Sequence, residues 1–486
     1  MDLRMRELLA VILLINLQLW VLCSANMVLD VKHKFGGRSR GLGELRAHDA
    51  RRHARLLSAI DLPLGGNGLP SEAGLYFAKI GLGTPSQDYY VQVDTGSDIL
   101  WVNCAGCTKC PTKSELGVPL KLFDPRGSST AKIVTCDQDF CEATYNGPLP
   151  GCKPNLSCQY NVVYGDGSST AGYFVEDTIQ LNHVSGNFQT SLTNGSVAFG
   201  CGAKQSGTLG TASEATDGIL GFGQNNSSMI SQLAAAGKVK KVFSHCLDNV
   251  NGGGIFTIGQ VVQPKVNTTP LVPNQAHYNV IMKAIEVGGD VLQLPTDEFD
   301  TQDQKGTIID SGTTLAYLPE EVYDPLISKI LDQHKDLKIH TVEDQFQCFQ
   351  YTGDVDDGFP DVVFHFENSL TLRTYPHDYL FQARVSNNDL WCLGWMNGGF
   401  QTKDGTHTVL LGDLVLSNRL VVYDLEEQTI GWTEYNCSSS IKVKDDQSGG
   451  TYSVAATNLN AASRPTGGHI TMFLLALVAL LHRFSR

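Results

Sequence analysis

The sequence predicts a mostly β chain built from two similar lobes, and three observations predict it. The first is a repeat. Val93-Asp94-Thr95-Gly96-Ser97 closes the run Tyr89-Tyr90-Val91-Gln92, and Ile309-Asp310-Ser311-Gly312-Thr313 closes Thr307-Ile308. The two aspartates are 216 positions apart, about one domain length. The second observation is that each Asp turn is followed, later in its half, by two apolar residues and a glycine: Ile219-Leu220-Gly221 and Leu410-Leu411-Gly412. The same order twice predicts duplication. The third is the texture between these motifs. Short alternating or apolar runs, such as Tyr76–Ile80, Gln159–Tyr164 and Arg419–Asp424, are separated by Gly, Asn and Asp clusters, which is the pattern of strands and turns. Helices are few. Ser228–Ala236 ends at Gly237, a C-cap residue. Pro319–Gln333 places Val322, Leu326 and Ile330 on one face, with Pro319 suited to a first turn. The lobes are expected to part near 265–275.

The ends of the chain carry separate signals. Arg4 and Arg6 precede an apolar run from Leu8 to Leu22, closed by Cys23-Ser24-Ala25. This predicts a secretory signal over 1–25, cut after Ala25; the run is short for a membrane span of about 20 residues. Residues 26–72 hold eight Lys and Arg against five Asp and Glu. Gly43 to Ile60 is compatible with a basic helix or with a solvated basic linker. Residues 438–460 are rich in Ser, Gly, Thr, Ala and Asn and read as a solvated stalk. Ile470 to Leu481 is apolar but too short to cross a bilayer comfortably. With the small residues Asn460-Ala461-Ala462 and the polar spacer Ser463 to His469, this tail predicts a GPI-attachment signal over 461–486. Asn460 would become the new C-terminus, and the outer leaflet of the plasma membrane the destination. Ser448-Gly449-Gly450 is a competing site with a long spacer, and Arg483 and Arg486 leave a short membrane helix as the alternative.

The full chain carries a net charge of −14; segments 26–72 and 461–486 each carry +3, so residues 73–460 carry about −20. An acidic body argues against a nucleic-acid partner. Of 13 cysteines, Cys23 leaves with the signal, and the remaining 12 are an even number in a secreted context. Disulfides are therefore expected, with the pairing open. Cys104-x-x-Cys107-x-x-Cys110 could suggest zinc, but no histidine pairs have ligand spacing and the expected compartment is oxidising, so no metal is expected. Asn155, Asn194, Asn225, Asn226, Asn267 and Asn436 each begin an Asn-x-Ser/Thr sequon. Asn225 and Asn226 overlap, and Asn436 abuts Cys437.

The paired motifs carry a resemblance. With Asp94-Thr95-Gly96-Ser97-Asp98 and Asp310-Ser311-Gly312-Thr313-Thr314 in this order, the chain resembles the pepsin-like aspartic proteases, most closely their plant nepenthesin-like branch, over about residues 73 to 437. The resemblance implies two β-barrel lobes, 73–265 and 266–437, flanking a cleft. It implies a monomer that cuts polypeptide substrates and a prosegment over 26–72 whose cations cover the catalytic carboxylates. It makes Val163-Tyr164-Gly165-Asp166-Gly167-Ser168 a flap over the cleft, with Trp101 donating its indole N–H to Tyr164. Asp-Gly between alternating segments is a hairpin signal by itself; without the resemblance, Tyr164 reads as a strand aromatic and Trp101 as core. The resemblance also implies the bridges Cys104–Cys107, Cys110–Cys201, Cys136–Cys158, Cys141–Cys152, Cys246–Cys437 and Cys348–Cys392.

The chemistry expected of two facing carboxyls needs no cofactor. They cannot both ionise cheaply, so one holds a proton and the other does not. Asp94 and Asp310 are the expected catalytic pair. Ser97 and Thr313 would hold the outer oxygens, Thr95 and Ser311 complete the loops, and Gly96 and Gly312 let the backbones approach. The rival reading is a protease-like inhibitor or binding protein without activity; in such plant relatives the catalytic motifs are disrupted, and here both are intact. No phosphate loop or His-Glu-x-x-His is present.

Overall fold

The computed structural model describes residues 57–213, 215–294, 306–343, 345–385, 388–398, 400–401 and 407–460. The expected signal (1–25), most of the expected prosegment and the tail 461–486 lie outside the described residues.

The N-terminal lobe closes on itself. Leu75–Leu82 pairs with Gln87–Asp94, which runs parallel to Gly218–Gly221. That short strand pairs with Leu100–Thr108, which runs parallel to Gln189–Ser206. The long hairpin Ser169–Gly186/Gln189–Ser206 then returns to Leu75–Leu82. Six strands form a ring with Val91, Val93, Leu100, Val102, Ile179, Phe199 and Leu220 buried inside. Alternation explains the choice: Val91 and Val93 turn inward while Gln92 between them is half-buried, as period-2 side-chain geometry requires.

The C-terminal lobe is less closed than the resemblance implies. Among the described residues it holds one sheet with Tyr278–Val280, Thr307–Ile309, Leu410–Leu411, Ala316–Leu318 and Trp395–Asn397, and two further four-stranded sheets. The lobes share a sheet. Val242–Leu247 from the first half lies antiparallel to Arg419–Asp424 from the second, with His245 opposite Val421. Asn267–Pro270, where the lobes were expected to part, is the outer strand of this shared sheet.

Both expected helices are present. Met229–Ala235 is N-capped by the Ser228 side chain, and Gly237 follows it with φ +66°. Glu320–Ile330 begins after Pro319 and buries Val322, Leu326 and Ile330. No helix among the described residues is long and apolar enough to cross a membrane.

Two terminal expectations change. Residues 57–72, assigned to the prosegment, are built into the body. Ile60–Asp61 is paired on both sides, and Leu64–Asn67 pairs with Leu75–Leu82. Ile60, Leu62 and Leu64 are buried, each contributing about 1.5–3 kcal/mol relative to exposure. Residues 438–460 are not a solvated stalk. Ser440–Lys444 and Thr451–Ala455 form a hairpin that docks on Gln260–Gln263. Ile441, Val443 and Val454 face the interior, and the Leu459 N–H donates to the Leu64 carbonyl at 2.9 Å.

Four of the six expected disulfides pair differently. In place of Cys104–Cys107 and Cys110–Cys201, the structure joins Cys104–Cys201 and Cys107–Cys110. Cys104 lies on a strand whose parallel neighbour carries Cys201, and their Cα atoms are 5.3 Å apart. In place of Cys136–Cys158 and Cys141–Cys152, it joins Cys136–Cys152 and Cys141–Cys158. Helix Asp139–Thr144 buries Cys141, and Cys158 is buried with it; Cys152 stays near the surface. Cys246–Cys437 and Cys348–Cys392 are paired as expected.

Candidate active site

Each catalytic aspartate ends a strand and begins a tight turn. The strand Gln87–Asp94 delivers Asp94, and Thr307–Ile309 delivers Asp310. Each carboxylate is held by its own turn. Gly96 N–H donates to Asp94 Oδ1 at 2.8 Å and the Ser97 hydroxyl donates to Asp94 Oδ2. Gly312 N–H donates to Asp310 Oδ1 at 2.8 Å and the Thr313 hydroxyl to Asp310 Oδ2 at 2.7 Å. The loops also hold each other: Ser311 N–H donates to Thr95 Oγ1 at 2.8 Å, and Thr95 Oγ1 is 3.4 Å from Asp310 Oδ1. All eight expected loop residues therefore meet at one place.

The glycines are required by close approach. A Cβ on Gly96 would lie 2.5 Å from Asp310 Oδ2, and one on Gly312 would strike Asp94 Oδ1. Only a residue without Cβ lets each backbone face the opposite carboxylate.

Electrostatics follow from this crowding. Burial, and then the Asp310 charge, push Asp94 up to about 7, against the hydrogen bonds from Ser97 and Gly96. Burial, followed by the charges of Asp310 and Asp94, holds Asp413 well above the usual carboxylate range. Asp413 follows Gly412, is buried, and its Oδ1 has no hydrogen-bond partner among the described residues. Asp413 directly follows the repeated Leu410-Leu411-Gly412 but was not expected in the site. Asp217 was also missed; its carboxylate accepts the N–H groups of Tyr90 and Lys121 at 2.8 and 2.6 Å. It thereby pins the strand that delivers Asp94, and burial raises it to about 6. The signal was an Asp opening an apolar run that is hard to bury unpaired.

The flap is where the sequence placed it. Gln159–Val163 and Ser169–Gly186 form a hairpin, with Gly165 exposed at its tip. Trp101 Nε1–H donates to the Tyr164 hydroxyl at 2.7 Å. Burial and then the Asp94 charge raise the Tyr164 phenol well above the ordinary value. Of the sequon residues, Asn155, Asn194, Asn226, Asn267 and Asn436 are exposed and Asn225 is half-buried. Asn460 is exposed at the end of the described chain. No group of His, Cys, Asp and Glu among the described residues is arranged to hold a metal.

Such a pair can hydrolyse a peptide bond. The charged carboxyl takes a proton from a water lying between the two. The protonated carboxyl gives its own to the carbonyl oxygen as the water oxygen bonds to carbon. Proton transfer to nitrogen then lets the C–N bond break, yielding acid and amine. The pair titrates as a unit.

The comparisons agree with this geometry. The family model described as xylanase inhibitor N-terminal matches residues 76–260, and the one described as xylanase inhibitor C-terminal matches 277–434. Aspartic proteinase 36 of Arabidopsis thaliana is 53% identical, over 99% of this chain and 98% of its own length. The chain belongs to the plant pepsin-like aspartic protease family. Aspartic proteinase 39 of the same plant is also 53% identical, over 91% of each chain. Aspartic proteinase nepenthesin-2 of Nepenthes gracilis is 29% identical over 76% of this chain and 79% of its own length. Soybean basic 7S globulin shares the fold at TM-score 0.59 and 23% identity, over 78% of this chain and 96% of that one. The protease has its dyad complete, and it is an aspartic endopeptidase.

Proposed function

We propose that this protease cuts extended polypeptides in acid, as an aspartic endopeptidase made as a zymogen in the secretory pathway and displayed on the cell surface. The observation that carries the reading is the facing pair of loops, in which Asp94 keeps a proton up to about pH 7 while sharing its site with Asp310. One proton per pair is the reactive state, and activity is expected between roughly pH 3 and 6. The hairpin over the cleft suits a main chain laid out at full length, gripped between flap and dyad. Six disulfides support an oxidising compartment, and exposed sequons support glycosylation. The basic segment ahead of the acidic body supports a zymogen. The small residues at Asn460-Ala461-Ala462 and the short apolar tail support a GPI anchor at Asn460 on the outer leaflet, with the enzyme acting as a monomer. The test incubates the purified enzyme with a denatured protein library at several pH values and sequences the cuts. Internal cleavage peaking in acid is the expected result; activity that plateaus at pH 8 overturns it. Phosphatidylinositol-specific phospholipase C should release the enzyme from membranes, and detection of the peptide from Ile470 onward in the bound mature chain would remove the anchor.

A further inference from the structure

The flap has a second fastening that the hydrolysis described above does not use. Its tip, Gly165-Asp166-Gly167, is exposed, and an aspartate between two glycines has little of its own to hold it in one shape. Asp166 is nonetheless held from two sides. Its Oδ1 accepts the Ser168 N–H at 2.9 Å, and its Oδ2 accepts the Thr208 hydroxyl at 2.6 Å. The first bond closes the turn on itself. The second leaves the hairpin and reaches the short turn Gly207–Gly210, which follows the strand Gln189–Ser206. Beside it, the Ser169 and Ser206 hydroxyls are 2.7 Å apart. Gly207, at φ +65°, brings the turn up against the flap: a Cβ there would lie 2.8 Å from Ser168 Cβ.

The anchor is itself fastened. The Thr211 N–H and hydroxyl both donate to the Thr208 carbonyl, at 2.9 and 2.7 Å, and the Glu115 N–H donates to the Ala212 carbonyl at 3.0 Å. Gln205, buried at the end of its strand, donates through Nε2 to Asn103 Oδ1 at 2.8 Å. Asn103 follows Trp101 on Leu100–Thr108, the strand that runs parallel to Gln189–Ser206. The two ties of the flap, Trp101 to Tyr164 and Thr208 to Asp166, therefore hang from neighbouring strands pinned to each other. Desolvation works against a charge on Asp166, but the bonds from Thr208 and Ser168 outweigh it and hold the carboxyl below the usual range. The acceptor is then a carboxylate, which binds a donor more strongly than a neutral oxygen does.

We propose that Asp166 and Thr208 are positioning residues for the peptidase reaction: the bond between them fixes the flap tip before a peptide enters, so that substrate is gripped without first ordering the flap. Ordering free backbone costs conformational entropy, and a preformed site spares that loss at binding. The tie therefore acts on KM rather than on the bond-breaking step, which belongs to Asp94 and Asp310. Tyr164 keeps its own bond to Trp101, so loss of the tie frees the tip and leaves the base of the flap in place.

The test measures kcat and KM of the purified enzyme on a quenched peptide carrying a lysine beside the scissile bond and on its neutral twin. Hydrogen exchange of the flap peptide 163–169 is read alongside. Thr208→Val removes the donor and should raise KM about threefold on both peptides, the scale of one exposed hydrogen bond, with kcat within about twofold. Asp166→Ala, which loses the Ser168 bond as well, should raise KM at least as much. Thr208→Ser keeps the hydroxyl and should restore KM. Asp166→Asn keeps an oxygen for Ser168 and turns its NH2 group to the Thr208 oxygen, so it should stay near the wild type. Adding Thr208→Val to Asp166→Ala should cost nothing more, since the two share one bond. Flap amides should exchange about threefold faster in Thr208→Val. Both residues are exposed, and unchanged exchange outside the flap shows that the variants fold. A Thr208→Val enzyme with wild-type KM and wild-type flap exchange overturns the proposal. A loss confined to the lysine peptide, equal in Asp166→Ala and Asp166→Asn and absent from Thr208→Val, also overturns it, because Asp166 would then act as a charge met by substrate. The proposal rests on the dyad, and Asp310→Asn separates the two failures. Cleavage by that variant removes the dyad, whereas an inactive Asp310→Asn beside an unmoved KM in Thr208→Val removes only the tie.

Discussion

In the first catalytic unit, Gly218–Gly221 lies parallel to the strand of Asp94, with Leu220 opposite Val93 and Leu100. In the second, Leu410–Leu411 lies parallel to the strand of Asp310, with Leu411 opposite Ile309 and Ala316. The register is the same to the residue: Leu100 and Ala316 each stand six positions after their aspartate. What surrounds the units differs. The first is followed by buried Phe222, the second by buried Asp413. Seven positions after the aspartate, the first has Trp101 holding the flap tyrosine, and the second has Tyr317, raised by burial and then by the charge of Asp166. Thr95 reaches across to Asp310, while Ser311 does not reach Asp94. Duplication therefore places two equal carboxyls, and the neighbours of each decide what it does.

Four changes would break or sharpen this contrast. Asp94→Asn and Asp310→Asn each remove half of the shared proton site, and cleavage of a denatured protein library should fall at least about a thousandfold with secretion retained. Equal losses are expected, because the two roles belong to the pair. Gly312→Ala pushes a methyl into Asp94 Oδ1; kcat should fall about a hundredfold, the usual effect of a misplacement near 1 Å. Trp101→Phe touches only the first lobe. It removes the donor to Tyr164, and kcat/KM should drop about tenfold while Asp94 still titrates, as a pH profile would reveal.

The smallest effect concerns stability against pH. Asp61, Asp94 and Asp217 are raised to about 7, 7 and 6, and Asp413 further, each chiefly by burial. The folded chain keeps protons that the unfolded chain releases near pH 4. The stability these groups contribute is thus full below pH 4 and lost as pH rises through the folded values. Each group in its titration window costs up to about 1.4 kcal/mol per unit. Tm should fall between pH 4 and 7, and Asp413→Asn, which does not titrate, should flatten that slope. An unchanged slope would mean that Asp413 is already charged in the folded enzyme.

The site was legible because its residues are local. Asp, hydroxyl, Gly, hydroxyl is one turn, and its second copy gave the pair without any knowledge of packing. Tyr164 and Trp101 were legible only through the resemblance, since a tyrosine on a strand and a buried tryptophan are ordinary. The tie from Asp166 to Thr208 was invisible: the two lie 42 positions apart, and only the return of the long hairpin brings them together. The bridges failed for a related reason. Cys104 and Cys110 are near each other in sequence, but only strand order puts Cys104 beside Cys201. The C-terminal hairpin was missed because composition was weighed above period. Ile441 and Val443 alternate with polar residues, as do Tyr452 and Val454, which is a strand signal inside a polar stretch.

That hairpin brings the two ends of the folded body to one place. The Ala59 N–H donates to Asp445 Oδ1, the Leu64 N–H to Thr457 Oγ1, and the Gly253 N–H to the Gly66 carbonyl one residue from the contact of Gly254 with Thr457. The chain enters and leaves through a single doorway. A cut made ahead of Ser58 and a lipid joined after Asn460 would be events on the same wall of the molecule. If Asn460 carries the proposed anchor, a protease trimming the front would have to work close to the membrane, and residues inserted just ahead of Asn460 would open that space.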